Sequence, residues 1–457
     1  MAADEDSASE RARELSFHIA HSPDPKDDVV RSLTRRRRKQ TTAPAGPPAD
    51  YSDRIGQIKA LEKLACTPDI NHRGYVRQKK AGKLWFGSEI GSVAGDVKWG
   101  KEKSEQGTEE EVIIAFTPSN SVQGYGRLNG RKVVFTADDY TLRAGHADGA
   151  LMEKTLYIEK LALSLRLPIV KLVDGSSGGG SVTSIRQSGF SYIPPLPAFD
   201  QVIAQLNLGI PNLGAVLGPA IGLGAARVTA YHFSVMAANV GSLFNAGPHM
   251  VKGVTFEDGL TMAELGGPDM HCRNGTIDNM ARDEYDAFEQ IRCVLSCLPN
   301  SGFSAPPVIK SGDTPDRRED ALRNLIPRRK ERMYDPRRLI TLVVDNSSFF
   351  EIGALWGTTA IVGLGRLAGS PIGIVSNNCE SHTGGALDAL GSQKITKHPK
   401  LCDAMNLPIL QFVDVPSYAV GTAAERSATM RHGVNLAMAY CTTTMLVFSV
   451  KQADRAA

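Results

Sequence analysis

Residues 166–176 read RLPIVKLVDGS, and residues 406–417 read NLPILQFVDVPS. In both stretches Leu-Pro-Ile precedes an apolar run that ends in Val-Asp, at an offset of 240 residues. Upstream, GRLNGRKVVF at 126–135 matches GRLAGSPIGI at 365–374, at an offset of 239 residues. Self-similarity that keeps its offset and its order indicates an internal repeat. The sequence therefore predicts two copies of one domain.

The two copies show the same order of predicted elements. A short strand is followed by apolar residues at three- and four-residue spacing, which predict a helix, and then by a proline that ends it. A buried strand comes next and leads into a loop that begins with Asp. Strands that alternate with helices are typical of an α/β fold with a largely parallel sheet covered by helices. The predicted elements are a strand from Val133 to Phe135, a helix over 149–166 and a strand from Ile169 to Val173, and in the second copy Ile372 to Val375, about 386–405, and Ile409 to Val413.

The domain organisation follows from length and local composition. A chain of 457 residues exceeds what one hydrophobic core usually supports. Residues 1–50 are acidic at first and then carry the basic cluster RRRRK at 35–39; they predict a disordered tail, with a nuclear or nucleic-acid signal as the alternative. Residues 301–336 are polar and rich in proline and predict a linker. We therefore expect an N-terminal domain over 51–300 and a C-terminal domain over 337–457.

The composition excludes several classes of protein. The net charge of +3 (52 basic and 49 acidic residues) is too small to indicate a nucleic-acid partner. No apolar run approaches the ~18–20 residues that span a bilayer, so no membrane association is predicted. Seven cysteines without a CxxC pair indicate a reducing, intracellular compartment rather than a disulfide framework. Cys293 and Cys297 have helical spacing but no neighbouring histidines, which favours core residues, and no metal site is predicted.

A glycine-rich turn follows the predicted strand of the first copy. It reads DGSSGGGSV at 174–182 and contains Gly178, Gly179 and Gly180. Consecutive glycines let the backbone approach a ligand closely, and their N–H groups can hold a developing oxyanion. A flexible Gly/Ser linker is the alternative interpretation.

A second glycine turn lies in AVLGPAIGLGAARVTA at 215–230. Gly222 and Gly224 precede a predicted helix, where free N–H groups and the helix dipole favour an anion. The fragment GLGAAR lacks GxGxxG spacing and does not predict a dinucleotide site. The chain also lacks HExxH, GxSxG and P-loop motifs. Glycine turns without an obvious base fit chemistry in which a cofactor supplies the base, as in enolate formation from a thioester.

Five long motifs stand out in the chain: GPAIGLGAARVTA (218–230), FNAGPHMVKGVTFEDGLTMAELGGPDMHCRNGTID (244–278), YDPRRLITLVVDNSSFFEI (334–352), VGLGRLAGSPIGIVSNN (362–378) and LPILQFVDVPSYAVGT (407–422). They resemble the carboxyltransferase (β) subunit of biotin-dependent acyl-CoA carboxylases, of the propionyl-CoA or methylcrotonyl-CoA type. The resemblance implies a pair of crotonase-like (ClpP/crotonase) domains in a hexamer. It further implies that the first domain binds the acyl-CoA and the second binds carboxybiotin, carried by a biotin carboxylase or biotin carrier subunit.

Site residues are carried over from the resemblance position by position. The thioester oxyanion hole falls on Gly178, Gly179 and Gly180, and Gly222 and Gly224 are assigned to the same catalytic region. The resemblance also implies a CoA side and a carboxybiotin side. The CoA side comprises Arg143, Gly145 and His146, and the carboxybiotin side comprises Asp414, Val415, Pro416 and Gly421.

The second copy is expected to be incomplete. Gly218 moved by the repeat offset falls near position 458, just beyond Ala457, so the oxyanion hole for carboxybiotin is expected to be missing. The predicted function is transfer of CO2 from carboxybiotin to a short-chain acyl-CoA through a thioester enolate. Two alternatives stay open: an inactive paralogue that binds CoA esters or assists assembly, and an acyl-CoA decarboxylase of the same fold. The acyl group and the compartment, mitochondrial matrix or cytoplasm, also stay open.

Overall fold

The structure is a computed structural model, and it divides into two compact units with the boundary between Ser119 and Asn120. Side chains are not described within the first two strands, 95–118. The residues described are 50–65, 67–84, 95–103, 109–142, 145, 151–175, 186, 189–190, 199–314, 316–329 and 332–451.

The described residues of the first unit form two helices and one antiparallel pair of strands. Helix α1 spans Ser52–Ala65 and α2 spans Arg73–Lys80. The side-chain amide of the buried Gln78 donates to the Leu84 carbonyl oxygen at 2.9 Å. This hydrogen bond links α2 to the segment that follows it. Strands β1 (Gly95–Lys103) and β2 (Glu109–Pro118) pair in antiparallel fashion.

The second unit begins with a six-stranded sheet in the order β10-β8-β6-β5-β4-β3. Strands β3 and β4 form an antiparallel hairpin around Asn129 and Gly130, which both have positive φ, as the twist of a two-residue hairpin turn demands. The other four pairs are parallel. The strands are β3 (Ser121–Leu128), β4 (Arg131–Asp138), β5 (Ile169–Val173), β6 (Asn212–Val216), β8 (Phe233–Ala237) and β10 (Asn279–Ala281).

Helices cover the faces of this sheet. Ile158 and Ala162 lie one turn apart on α3 and pack against Val134 and Ile169 of the sheet, because residues four apart share one helix face. A small parallel pair joins β7 (Pro219–Ile221) to β9 (Ser242–Phe244). The helices are α3 (Leu151–Leu165), α4 (Phe199–Asn207), α5 (Leu223–Thr229), α6 (Pro248–Thr255), α7 (Met262–Gly266), α8 (Pro268–His271) and α9 (Glu284–Cys297).

A five-stranded sheet follows in the order β11-β12-β13-β14-β15. The pairs β11–β12 and β12–β13 are antiparallel, and the pairs β13–β14 and β14–β15 are parallel. Its core contains Ile340, Ile361, Ile374 and Phe412. The elements are α10 (Leu322–Leu325), α11 (Pro336–Val343), β11 (Phe350–Ile352), β12 (Ala360–Leu367), β13 (Ser370–Asn377), α12 (Ala389–Ala404), β14 (Ile409–Val413), α13 (Thr422–Arg426), α14 (Thr429–Thr442) and β15 (Val447–Lys451).

The predicted repeat is visible in the structure. The predicted strands Ile169–Val173 and Ile409–Val413 coincide with β5 and β14, and the predicted helices correspond to α3 and α12. Each copy places an antiparallel hairpin beside parallel strands. The expectation of a largely parallel sheet therefore describes the first sheet better than the second, where half of the pairs are antiparallel.

The two sheets of the second unit are joined by polar contacts. The side chain of Asn279, on β10, donates to the Glu351 carbonyl oxygen at 3.1 Å and accepts from the N–H of Gly353 at 2.8 Å. The guanidinium of Arg366 donates to the Ser296 carbonyl oxygen at 2.6 Å. Within the predicted linker 301–336, Leu322, Leu325 and Ile326 of the α10 region pack against the second core. Among the described residues, no helix is long and apolar enough to cross a bilayer.

Candidate functional site

Three segments singled out in the sequence begin at one edge of the first sheet. Parallel strands β4, β5 and β6 are neighbours, with Ala137 opposite Leu172 and Val173 opposite Val216. The N–H of Leu217 donates to the Val173 carbonyl oxygen at 2.8 Å, just past the strand ends. The carboxyl ends of neighbouring parallel strands are where ligands bind in open α/β sheets. The loops after 138, 173 and 216 therefore leave the sheet side by side.

The loop after β4 carries the predicted CoA side. Asp139 accepts hydrogen bonds from the backbone N–H of Thr141 at 2.8 Å and from its hydroxyl at 2.6 Å, a turn that aspartate side chains favour. Gly145 is buried, has φ +70°, and its N–H donates to the Leu142 carbonyl oxygen at 3.1 Å. Arg143 and His146 lie outside the described residues, so their predicted role stays a prediction.

The loop after β5 begins with two described residues. Asp174 is fully buried, and Gly175 has φ +92°, in the left-handed region that glycine adopts without steric cost. Gly178, Gly179 and Gly180 follow directly in the sequence but lie outside the described residues. The chain enters the predicted oxyanion-hole segment directly after Gly175, and that segment stays a prediction.

The loop after β6 leads through the second glycine turn into α5. Gly222 precedes the first residue of α5 with φ +56°, and its N–H donates to the Phe244 carbonyl oxygen at 3.0 Å. Gly224 is buried in the first turn of the helix, where backbone N–H groups have no partner within the helix. The assignment of both glycines to the catalytic region stays a prediction.

Asp138, which the sequence did not single out, connects these loops. Its carboxylate accepts a hydrogen bond from the backbone N–H of Asp174, and Oδ1 lies 3.8 Å from Nη1 of Arg227 on α5. Burial raises the pKa of Asp138 to about 6, against the opposing effects of Arg227 and the Asp174 N–H. The two partners belong to the two segments that contain the predicted glycine turns.

A buried ion pair lies beneath the same sheet. Nζ of Lys171 is 2.8 Å from Oε1 of Glu159, and both side chains are almost completely buried. The amide of Gln205 donates to the other Glu159 oxygen at 3.0 Å. Burial lowers the pKa of Lys171, although the Glu159 carboxylate opposes that effect. The ammonium also lies 5.3 Å from the centre of the Tyr231 ring.

The carboxybiotin side predicted from the resemblance lies at the end of β14, in the second sheet. Asp414 is buried. Its N–H donates to Oδ1 of Asn377 at 2.9 Å, and the side-chain amide of Asn377 donates to the Asp414 carbonyl oxygen at 2.7 Å. The hydroxyl of Tyr334 donates to Oδ2 of Asp414 at 3.1 Å. These contacts fix the start of the loop after β14.

The remaining predicted residues of that side are exposed. Val415 and Pro416 continue the loop at the surface, and Gly421 has φ +100° just before α13. The N–H of Ala419 donates to the Leu387 carbonyl oxygen at 2.8 Å and ties the loop to the chain before α12. An exposed loop on a rigid strand end is the usual setting for a binding segment.

The cysteines and acidic residues form no metal centre in the described part of the chain, where no group of three or more His, Cys, Asp or Glu side chains could hold an ion. Cys293 and Cys297 both lie on α9, and Cys297 is buried. Burial raises the pKa of Cys293 to about 11, which disfavours the thiolate that a metal requires.

Asp138 and Asn377 could have been found from the repeat. They occupy equivalent positions at the ends of β4 and β13, at the offset of 239 residues, and each accepts the N–H of the aspartate that follows the neighbouring strand. Arg227 and Tyr334 carry no such signal, because their partners are brought to them only by folding.

The carboxyl transferase domain family matches residues 98–451. This chain belongs to that family. Biotin-dependent acyl-CoA carboxyltransferases are the relatives that the resemblance indicated, and the predicted family is confirmed.

Two relatives illustrate the likeness. The methylmalonyl-CoA decarboxylase subunit alpha of Veillonella parvula is 30% identical over 353 residues, which cover 76% of this chain and 65% of that protein. The propionyl-CoA carboxylase carboxyltransferase subunit of Haloferax mediterranei is 31% identical over 333 residues, covering 72% of this chain and 62% of that protein. This chain therefore spans less than two thirds of the length of either relative.

A solved structure supports the fold. The transcarboxylase 12S core, described as a hexamer with methylmalonyl-coenzyme A bound, superposes with a TM-score of 0.73 at 23% identity, covering 90% of this chain and 78% of that one. At this identity the likeness concerns the fold alone. The predicted α/β fold of the crotonase-like class is confirmed.

Proposed function

We propose that this chain is a carboxyltransferase that moves CO2 between biotin and the α-carbon of a short-chain acyl-CoA. The observation that carries the proposal is that β4, β5 and β6 are neighbouring parallel strands, so that the three segments begin at one sheet edge. The residues that the resemblance assigns to the acyl-CoA half all follow these three strands in the sequence, and Gly224 among them lies in the first turn of α5. Family membership supports the reaction class, and the neighbouring strand ends support a shared site.

The two copies of the repeat are proposed to bind different substrates. The N-terminal domain, 51–300, holds the acyl-CoA, and the C-terminal domain, 337–457, faces carboxybiotin, with 301–336 between them. The backbone N–H groups of Gly178, Gly179 and Gly180 would hold the thioester oxygen as it gains negative charge, because donors that are fixed in advance stabilise that charge without reorganisation.

The residues at the end of β14 suit the second half of the site. Asn377 and Tyr334 hold Asp414 rigidly, so the exposed segment from Val415 to Gly421 starts from a defined position. Carboxybiotin, delivered on a partner subunit, supplies the CO2 and the base that takes the α-proton. This chain would orient the thioester through the N-terminal domain, and the segment from Val415 to Gly421 would contact the biotin. Assembly into a hexamer is part of the proposal.

The test uses the full chain with a carboxylated biotin carrier and propionyl-CoA, and follows transfer of labelled CO2. Formation of methylmalonyl-CoA supports the proposal. The matched variant is Gly179→Val, which adds bulk at the proposed oxyanion hole and is expected to abolish transfer. Methylcrotonyl-CoA in parallel identifies the acyl group.

Two other outcomes distinguish the alternatives. The Veillonella relative is named as a decarboxylase subunit. Transfer of CO2 from methylmalonyl-CoA to the uncarboxylated biotin carrier that is much faster than the reverse transfer would favour a role in decarboxylation. Binding of propionyl-CoA with no turnover would favour a CoA-ester-binding or assembly subunit. The absence of both propionyl-CoA binding and turnover would overturn the proposed function.

A further inference from the structure

Asp138 and Asn377 make the same backbone contact with different chemistry. Oδ1 of Asn377 accepts the N–H of Asp414 at 2.9 Å, and the carboxylate of Asp138 accepts the N–H of Asp174. The two acceptors and the two donors are equivalent in the internal repeat. Because a neutral amide oxygen serves in the second copy, the contact itself does not require the negative charge of Asp138.

The charge of Asp138 has a different partner. Nη1 of Arg227 lies 3.8 Å from Oδ1 of Asp138, with the arginine side chain 19% exposed and the aspartate side chain 6% exposed. Arg227 lies on α5, which begins immediately after the glycine turn at Gly222. The ion pair therefore links the end of β4 to the helix after the second glycine turn, while the Asp174 N–H links it to the loop after β5.

Other ionisable groups lie near this ion pair, among them the fully buried Asp174. Lys171 on β5 and Glu159 on α3 form the neighbouring buried pair. The carboxylates of Asp138 and Glu159 both favour the charged form of Arg227. Protonation of Asp138 would leave the Arg227 guanidinium without its nearest anion, in a setting where burial favours the neutral carboxyl.

We propose that Asp138 is a positioning residue. Its negative charge, acting through Arg227, holds α5 and the glycine turn before it against the end of β5. Protonation of Asp138 therefore weakens acyl-CoA binding at this sheet edge. The inference rests on the proposed function, because it assigns a regulatory role within the proposed acyl-CoA half. In this proposal Asp138 does not contact the substrate. The ligand class is a CoA thioester.

The test measures the affinity of the full chain for propionyl-CoA by calorimetry between pH 5 and pH 8. The wild type is expected to bind about tenfold more weakly at pH 5 than at pH 8, within the usual range for coupled sites. Asp138→Asn keeps the size and the acceptor that Asn377 shows to be sufficient, and removes the charge. This variant is expected to bind at the weak level at every pH.

The 3′-phosphate of CoA titrates near pH 6 itself, so the readout is the difference between the wild type and the variants, which share that titration. Arg227→Gln should show the same weak binding at every pH as Asp138→Asn. It replaces Asp138→Asn in the test if that variant does not fold. Arg323→Gln, which removes an exposed ion pair with Asp320, is the matched control and should retain the wild-type profile.

Hydrogen exchange of the peptide covering 217–230 gives a second readout that needs no ligand. Faster exchange in Asp138→Asn than in the wild type at pH 8 supports the inference. If the wild type binds no propionyl-CoA at any pH while exchange depends on Asp138, the proposed function fails and the link between Asp138 and α5 stands. Wild-type binding that is matched by both variants at every pH, with unchanged exchange, overturns the inference.

Discussion

Lys397 and Asp278 join the two sheets of the second unit, with Nζ of Lys397 at 2.5 Å from Oδ1 of Asp278 across a sequence separation of 119 residues. The carboxylate is 5% exposed and also accepts the N–H of Ser234 at 2.9 Å, whereas the lysine side chain is 46% exposed. The pair is therefore asymmetric: only one of its members is held away from water.

That asymmetry predicts unequal costs for the two single variants. Lys397→Met leaves the buried carboxylate without its cation and is expected to lower the free energy of unfolding by about 3–5 kcal/mol. Asp278→Asn retains an acceptor for Ser234 and leaves Lys397 free to reach solvent, which should cost about 1 kcal/mol. Urea denaturation of both variants measures the difference. Equal costs would show that the pair does not depend on the burial of Asp278.

Gly275 packs against Trp356 of the second sheet region. A Cβ atom at Gly275 would lie 2.4 Å from the indole ring, whereas a Cβ atom at Gly259 would meet nothing within 4 Å; the two glycines have φ +80° and +78°. Gly259→Ala should cost about 1–2 kcal/mol from backbone strain alone. Gly275→Ala should cost about 1–3 kcal/mol more, because the core is overpacked. Thermal unfolding of the two variants isolates the contact, and similar melting temperatures would argue against it.

The Lys171–Glu159 pair predicts a non-additive pair of substitutions. Lys171→Met leaves a buried carboxylate held only by Gln205 among the contacts described, and should lower the free energy of unfolding by about 3–5 kcal/mol. Adding Glu159→Gln removes the unpaired charge and preserves an acceptor for Gln205, so most of that loss should return. A double-mutant cycle in urea provides the measurement. A double variant that is less stable than the single one would contradict the expectation.

His398 predicts a loss of stability in acid. Burial, with Lys394 and Lys397 nearby, lowers the pKa of His398 to about 4, from 6.5 for the unperturbed side chain. Between those values the unfolded chain binds a proton that the folded chain does not, so stability is complete above pH 6.5 and is lost as the pH falls towards 4. The loss between pH 7 and pH 5 is about 2 kcal/mol for this group.

Replacement of His398 by leucine should remove that contribution. The difference in unfolding free energy between pH 7 and pH 5 is expected to shrink by about 2 kcal/mol relative to the wild type. His249→Gln, at an exposed position, is the control and should leave the difference unchanged. Calorimetric unfolding at both pH values gives the comparison, and an unchanged pH dependence in His398→Leu would exclude His398 as its source.

The internal repeat allowed a large part of the fold to be predicted. The apolar runs after Pro168 and Pro408 correspond residue for residue to β5 and β14, because a short buried strand leaves a local pattern of apolar residues bounded by a proline and an aspartate. The second sheet contains more antiparallel strand pairs than the sequence predicted. Strand direction depends on which strands become neighbours, and that is decided by the whole chain rather than by local composition.

The sequence by itself determined the family, the two-copy architecture and the glycine turn at 222–224, since each leaves a pattern in contiguous residues; the role of Gly178, Gly179 and Gly180 stays a prediction. Only the tertiary structure decided that Asp138 faces both the Asp174 N–H and Arg227, and that Lys397 reaches Asp278. The physical reason is that burial and pairing of a charge depend on side chains from distant parts of the chain. The same aspartate would be an ordinary solvated carboxylate without the strand and helix that enclose it.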